Sequence, residues 1–250
     1  IEPQLYFRGK LRMIIHTDDF AIRGPLNDVA HAEKEFNERW GDCGVNYNPN
    51  QYLGYSLKRD DDGYFDLSLE GLITDELNRR NVPLDRTRRT PLPSEINLTK
   101  YDRAAGHTGV TNIVQSSNGF FSYIVSAGRP DMAKAASMYA QVQSCPQRNV
   151  VEFMDHTWKY LAHTRKWSIA YSKVSPEMTD QLVCYVDASH NDCADAKSTT
   201  GWVIFLNGGL IDWSSNLQGL ATDSTAESEL VAASEATKAV LSTRYLLAEM

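Results

Sequence analysis

The sequence predicts a mixed α/β protein, and three observations predict it. Short apolar runs bounded by turn residues recur near both ends of the chain, the pattern of half-buried strands. Between them, apolar residues recur at helical spacing. The chain closes on a long stretch rich in Ala, Glu and Leu, all strong helix formers.

The elements follow in order. Leu5 to Ile15 reads as strand material, as in a chain entered mid-domain. The run from Leu11 to Gly24 places apolar residues, Met13 to Ile15 and Phe20 to Ile22, on either side of Thr17-Asp18-Asp19, which predicts a hairpin with acids at its tip. Val29, Ala32, Phe36 and Trp40 predict a helix, with Asn27 as its cap. Gln51 to Lys58 and Tyr64 to Leu69 predict a second strand pair, turned by Asp60-Asp61-Asp62-Gly63. From about 96 to 175 the chain reads as helical. Met132, Ala135, Ala136, Met138 and Tyr139 form one stripe and Phe153, Trp158, Tyr160 and Leu161 another, with Pro146 between them.

Ser172 to Asp180 is a polar linker and the expected domain boundary. Leu182 to Val186 then reads as a strand apolar on both faces, hence central, ending at Asp187. Gly201 to Leu206 and Leu210 to Trp213 form a hairpin turned by Asn207-Gly208-Gly209. The closing helix starts near Ser224 and is expected to cover the sheet with Leu230, Ala233, Thr237 and Leu241, beside small Ala232 and Ala236. The expected segments are 1–95, 96–175 and 181–250.

Composition narrows the classes. Hydrophobic residues make up 42% and charged residues 23%, enough for a packed core. No apolar run approaches the ~20 residues of a membrane helix, so no membrane partner is expected. Cys43, Cys145, Cys184 and Cys193 are scattered, and His190 is a lone candidate ligand, so reduced thiols in an intracellular protein are expected. A net charge of −7 argues against binding nucleic acid by bulk charge, but not against carboxylate-built active sites.

Two acid sets stand out. Adjacent carboxylates at Asp18 and Asp19 repel unless a cation neutralises them. Two-metal phosphoryl transfer needs such a set, although a solvated turn also accommodates one. Asp187 at a strand end and Glu229 in the first turns of a helix form a second set if that helix packs across the sheet. Glu227 has another role, since Ser224-Thr225-Ala226-Glu227 reads as a capping box. Asp192, Asp195 and Asp223 fit loops or a helix start. Arg79, Arg80, Arg86, Arg88 and Arg89 form a basic cluster, either phosphate-binding or a solvated loop.

Taken together, these residues resemble a known family. His16-Thr17-Asp18-Asp19 resembles the aromatic-x-Asp-Asp motif of reverse transcriptases. The ordered set around it resembles copia-type LTR retrotransposon polyproteins. Tyr52-Leu53-Gly54-Tyr55-Ser56-Leu57 is similar to the family's Phe-Leu-Gly strand, and Thr90-Pro91-Leu92-Pro93 follows. Gly128-Arg129-Pro130-Asp131 is similar to its Thr-Arg-Pro-Asp, and Tyr160-Leu161-Ala162-His163-Thr164 to its Tyr-Leu-Lys-Gly-Thr. Lys197-Ser198-Thr199-Thr200-Gly201, Ile211 to Ser215 and Ser224 to Ala232 resemble its ribonuclease H stretches. Ser228 to Ala233 also resembles the Glu-Leu-x-Ala helix of cellular ribonucleases H.

The resemblance implies a partial reverse-transcriptase palm with a helical thumb or connection, then a partial ribonuclease H-like mixed sheet with a covering helix. It implies Mg²⁺ at Asp18 and Asp19 and at Asp187 and Glu229. It also implies primer-template or RNA–DNA hybrid as partner, with the remainder of the Pol polyprotein, in a cytoplasmic virus-like particle or the nucleus. Two departures go with it. His16 stands where the family has Tyr, and part of each acid set lies outside this chain. The chain alone is therefore expected to be inactive, against a rival reading as a non-catalytic remnant or hybrid-binding module.

Overall fold

The computed structural model describes residues 5–85, 87–96, 98, 109–174, 180–190 and 197–250. Among them, six helices and three antiparallel sheets form a mixed α/β structure, as expected. Two compact units are present, one of residues 1–49 with 239–250 and one of residues 50–238. The expected limits at 95 and 181 both fall inside the second unit, next to residues outside the described set.

In the first unit, β1 (Leu5–Arg8), β2 (Leu11–His16) and β3 (Asp19–Arg23) form a meander. The expected hairpin is there, with Met13 opposite Ile22 and Ile15 opposite Phe20. Helix α1 (Leu26–Trp40) sets Phe36 between Phe20 and Trp40, with tilted rings at centroid distances of 5.5 and 5.1 Å. Its cap is Pro25, not Asn27. Pro25 is extended (φ −56, ψ 139), and its carbonyl accepts from Asp28 and Val29, which puts Asn27 inside the first turn. A cavity of about 690 Å³ opens among Phe7, Met13, Ile22, Phe36 and Trp40.

The second unit begins with β4 (Gln51–Tyr52), β5 (Tyr55–Arg59) and β6 (Phe65–Ser68). The single strand expected over Gln51 to Lys58 is instead a hairpin. Leu53 (φ 48) and Gly54 (φ 82) both take positive φ, the requirement of a tight two-residue turn, and Tyr52 pairs with Tyr55. A helix the sequence reading did not include follows, α2 (Glu70–Arg79). Leu69, Ile73 and Leu77 bury one side of it, four residues apart, and the Ser68 hydroxyl accepts from the Glu70 amide.

Helices α3 (Thr111–Ala127), α4 (Ala133–Val142) and α5 (Asn149–Thr164) supply most of the core, with a short 3-10 turn at Pro130–Met132. Both expected stripes are at least half-buried: Met132, Ala135, Ala136 and Tyr139 on one side meet Trp158, Tyr160 and Leu161. Strand β7 (Ser168–Tyr171) leaves the helices and pairs with β6, so the first and second expected segments share one sheet.

The last sheet is ordered β10 (Gly209–Leu217), β9 (Thr199–Leu206), β8 (Leu182–Ser189). Asn207 (φ 52) and Gly208 (φ 80) make the expected turn. Among the described residues, β9 is central and β8 is the edge, a correction to the expected order. The apolar run misled because one of its faces stays open: Val183 is 39% and Tyr185 65% exposed. Helix α6 (Thr225–Glu249) also presents another face than expected. Ser228, Ala232 and Ala236 are buried, while Leu230 is 72% exposed and Ala233 and Thr237 are exposed. Small side chains at four-residue spacing let a helix backbone approach closely, and that contact outweighs the larger apolar residues on the other side.

Candidate metal and nucleic-acid sites

The first acid pair sits where its flanks place it. Thr17 and Asp18 are the two turn residues, and Asp19 opens β3 opposite His16. Thr17 holds φ 55, a conformation β-branched residues rarely adopt. Both carboxylates are exposed.

The two residues of the second pair are carried by different elements, Asp187 by β8 and Glu229 by α6. Asp187 is exposed in β8 opposite Gly201. Just past β8, His190 shares a hydrogen bond through Nδ1 with the Ser228 hydroxyl at 2.9 Å, so this lone candidate ligand serves the fold. Ser228 is fully buried and also meets the hydroxyls of Ser198 (3.0 Å) and Thr222 (2.7 Å). Gln218 donates to the Ser228 carbonyl at 2.9 Å and to Thr200 Oγ1 at 3.1 Å. This buried polar cluster holds the first turns of α6 against the end of the sheet. The sequence signal for it was the Ser-Thr-Thr run after Lys197. Cross-strand pairs share a face, so Asp187 lies on the face of Thr199 by alternation, while Ser228 is tied to Thr200 on the other.

Capping separates the two helix acids. The Glu227 amide donates to Ser224 Oγ at 3.2 Å, and Glu227 Oε2 accepts from the Asp223 amide at 2.8 Å. The box therefore reaches one residue further back than its usual form. Glu229 is exposed. Carboxylate oxygens are the donors Mg²⁺ prefers. Among the described residues, no three His, Cys, Asp or Glu side chains gather to hold a metal. Asp192, Cys193 and Asp195 lie outside the described residues.

The arginines divide. Arg80 is held: its Nε lies 2.6 Å from Glu76, its Nη atoms donate to Ser117 and Ser116 at 3.1 and 3.0 Å, and its Cζ lies 4.5 Å from the Trp158 ring centroid. Those contacts join α2 to α3 and α5. Arg79 also pairs with Glu76, whose carboxyl the two guanidinium groups hold below the usual range, but its side chain is exposed. Arg88 and Arg89 are exposed, and Arg86 lies outside the described residues. The His156 imidazole is held below its usual pKa, chiefly by burial, with Arg88 and Lys159 adding to the effect.

Two motif stretches meet in the core. Arg129 is 2% exposed and donates to both Asp131 oxygens (2.9 and 2.7 Å) and to the carbonyl and hydroxyl of Thr164 (3.2 and 2.6 Å). Tyr160 donates to Asp131 at 2.7 Å. Burial, then the Asp131 carboxylate, raise the pKa of this phenol. The Arg-Pro-Asp and Tyr-Leu-x-x-Thr stretches are thus partners in one polar network.

Comparison with known proteins gives the family. No family model matches the chain, and no solved structure does. The chain is 32% identical over 124 residues to the Secreted RxLR effector protein 161 of Plasmopara viticola, covering 49% of this chain and 85% of that protein. It is 27% identical over 248 residues to the Transposon Ty1-JR1 and Ty1-LR2 Gag-Pol polyproteins of Saccharomyces cerevisiae, covering 95% of this chain. It spans 14% of the length of those polyproteins. The chain therefore belongs to one family with the Plasmopara viticola protein, and over nearly all its length it is similar to Ty1/copia-type retrotransposon polyproteins.

Proposed function

We propose that this chain is the C-terminal part of a reverse transcriptase followed by the N-terminal part of a ribonuclease H domain. The acid hairpin carries the reading. Its two-residue turn puts Asp18 and Asp19 at an exposed tip, where phosphate and cation have access. The likeness to retrotransposon polyproteins over 95% of the chain supports it. Asp18 and Asp19 would hold Mg²⁺ in the polymerase part, and Asp187 and Glu229 in the ribonuclease H part. When bound, Mg²⁺ neutralises charge on phosphate oxygens during phosphoryl transfer. The chain's own contribution is positioning: strand register fixes the first pair, and the Ser228 cluster anchors the helix that bears Glu229. The intact parent polyprotein would act inside the cell, in a virus-like particle or the nucleus, on primer-template and RNA–DNA hybrid, and this chain alone would be inactive.

The test is fluorescence anisotropy of a labelled RNA–DNA hybrid with this chain, with a DNA duplex of the same sequence as control. The hybrid is expected to bind more tightly in Mg²⁺ than in EDTA, and Asp187→Asn with Glu229→Gln should remove the Mg²⁺-dependent part. Equal affinity for hybrid and DNA duplex, with no Mg²⁺ dependence, would overturn the ribonuclease H half.

A further inference from the structure

We infer that the end of α5 is a contact for an unpaired nucleic-acid strand, with Trp167 as a base-stacking platform. The inference rests on the nucleic-acid reading above and gives it a place on the surface.

Trp167 is 54% exposed, yet it is held on its protein side. Its ring meets Tyr160 edge-on at 6.1 Å and 88°, and the Arg129 guanidinium lies 5.9 Å from its centroid. Its amide donates to the Thr164 carbonyl at 2.9 Å. An exposed indole is normally disfavoured in water and mobile. This one is fixed by a buried network, so little side-chain freedom is left to lose when a base stacks on it. Aromatic stacking is tolerant of base identity, because every base has a π face.

Basic residues adjoin the ring in sequence. Arg165 and Lys166 precede it, and Arg165 is steadied by donating to the Ala162 carbonyl at 2.6 Å. Glu152, His156, Lys159 and His163 recur along α5 at spacings of four, three and four and so share one side of the helix, with Lys159 as its fixed cation. Lys159 is paired with Asp155 and Glu152 offsets the other end of the helix, so the positive charge sits beside the ring, at Arg165 with Lys166. The nearby carboxylate of Asp131 is engaged by Arg129 and Tyr160. In a chain of net charge −7, this is a local positive stretch beside a rigid aromatic ring, the combination that binds single strands.

The experiment uses the whole chain and three labelled probes: an oligo-dT single strand, an abasic strand of the same length, and the RNA–DNA hybrid. Anisotropy is read across a salt series. The wild-type chain should bind oligo-dT about tenfold or more tightly than the abasic strand, in line with the worth of one stacked base. Trp167→Ala should erase that difference, and Trp167→Phe should restore most of it. Lys166→Gln should lower the log–log salt slope for oligo-dT by about 0.7, the value for one phosphate contact on a single strand. Equal wild-type affinity for oligo-dT and the abasic strand would overturn the inference, and that comparison needs no variant to fold. A difference that survives Trp167→Ala would place the stacking elsewhere and overturn it too. If the hybrid binds while either of these results is obtained, the stacking site fails and the functional reading stands. If none of the three probes binds, both fall.

Discussion

Replacing Arg129 with Met should destabilise the second unit more than any surface change. Methionine keeps the bulk of the side-chain stem but removes the guanidinium and its four hydrogen bonds to Asp131 and Thr164. Asp131 then keeps only the Tyr160 hydroxyl among these partners, and the Thr164 carbonyl loses its donor inside the core. Breaking a buried pair from one side costs roughly 3–5 kcal/mol, because a desolvated charge is left without compensation. Asp131 is 25% exposed, so water screens part of that loss, and about 3 kcal/mol is the better figure. With a urea dependence of about 3 kcal/mol per molar, the upper end for small proteins, the far-UV midpoint should fall by about 1 M. Adding Asp131→Asn to Arg129→Met removes the stranded charge and should recover part of the shift. The reasoning fails if the single variant moves the midpoint by less than about 0.3 M, or if the double variant is no more stable than the single.

Three further outcomes follow from the same geometry. Burial raises the Tyr139 phenol to about 12, against a weaker lowering by its hydrogen bond to Thr157. The folded pKa lies above the unfolded value, so this contribution is complete below about pH 10 and is lost as pH rises through 12. Urea titrations between those limits should show stability falling, with a shallower fall in Tyr139→Phe. Ala232→Leu should cost roughly 1–3 kcal/mol by overpacking, while Leu230→Ala should stay within about 0.5 kcal/mol; equal effects would reverse the assigned face of α6. Thr17→Asn should stabilise the acid hairpin by up to about 1 kcal/mol, since Asn tolerates positive φ, and faster amide exchange in β2 and β3 of that variant would contradict it.

Features set by neighbours in sequence were legible. The Asn207-Gly208 turn, the Thr17-Asp18 tip, the two helical stripes and the Ser224–Glu227 box each depend on a few adjacent residues. Features set by distant partners were not. The Leu53-Gly54 turn was hidden because its flanks, Tyr52 and Tyr55, read as one strand. Helix α2 was missed because its apolar stripe is only Leu69, Ile73 and Leu77, too short to stand out. The edge position of β8 and the buried face of α6 depend on what packs against them, which local apolarity does not specify. The candidate site divides the same way. Strand periodicity was enough to put Asp18 and Asp19 at a tip. The seating of the helix that bears Glu229 instead runs through His190, Ser198, Gln218 and Ser228, none of which reads as a partner of another in sequence.

The pairing of β6 with β7 bears on how the chain is made. Phe65 sits opposite Tyr171, about 100 residues later, with α2 to α5 between them. Until Tyr171 has left the ribosome, β6 offers an unpaired edge, and the helices must gather before the sheet can close. Contacts so distant in sequence slow folding, since the entropy of the intervening loop is lost before the pairing is gained. A chain stopped short of Ser168 during synthesis should expose that edge to β-strand association, and aggregation of such truncations is the expected sign of it.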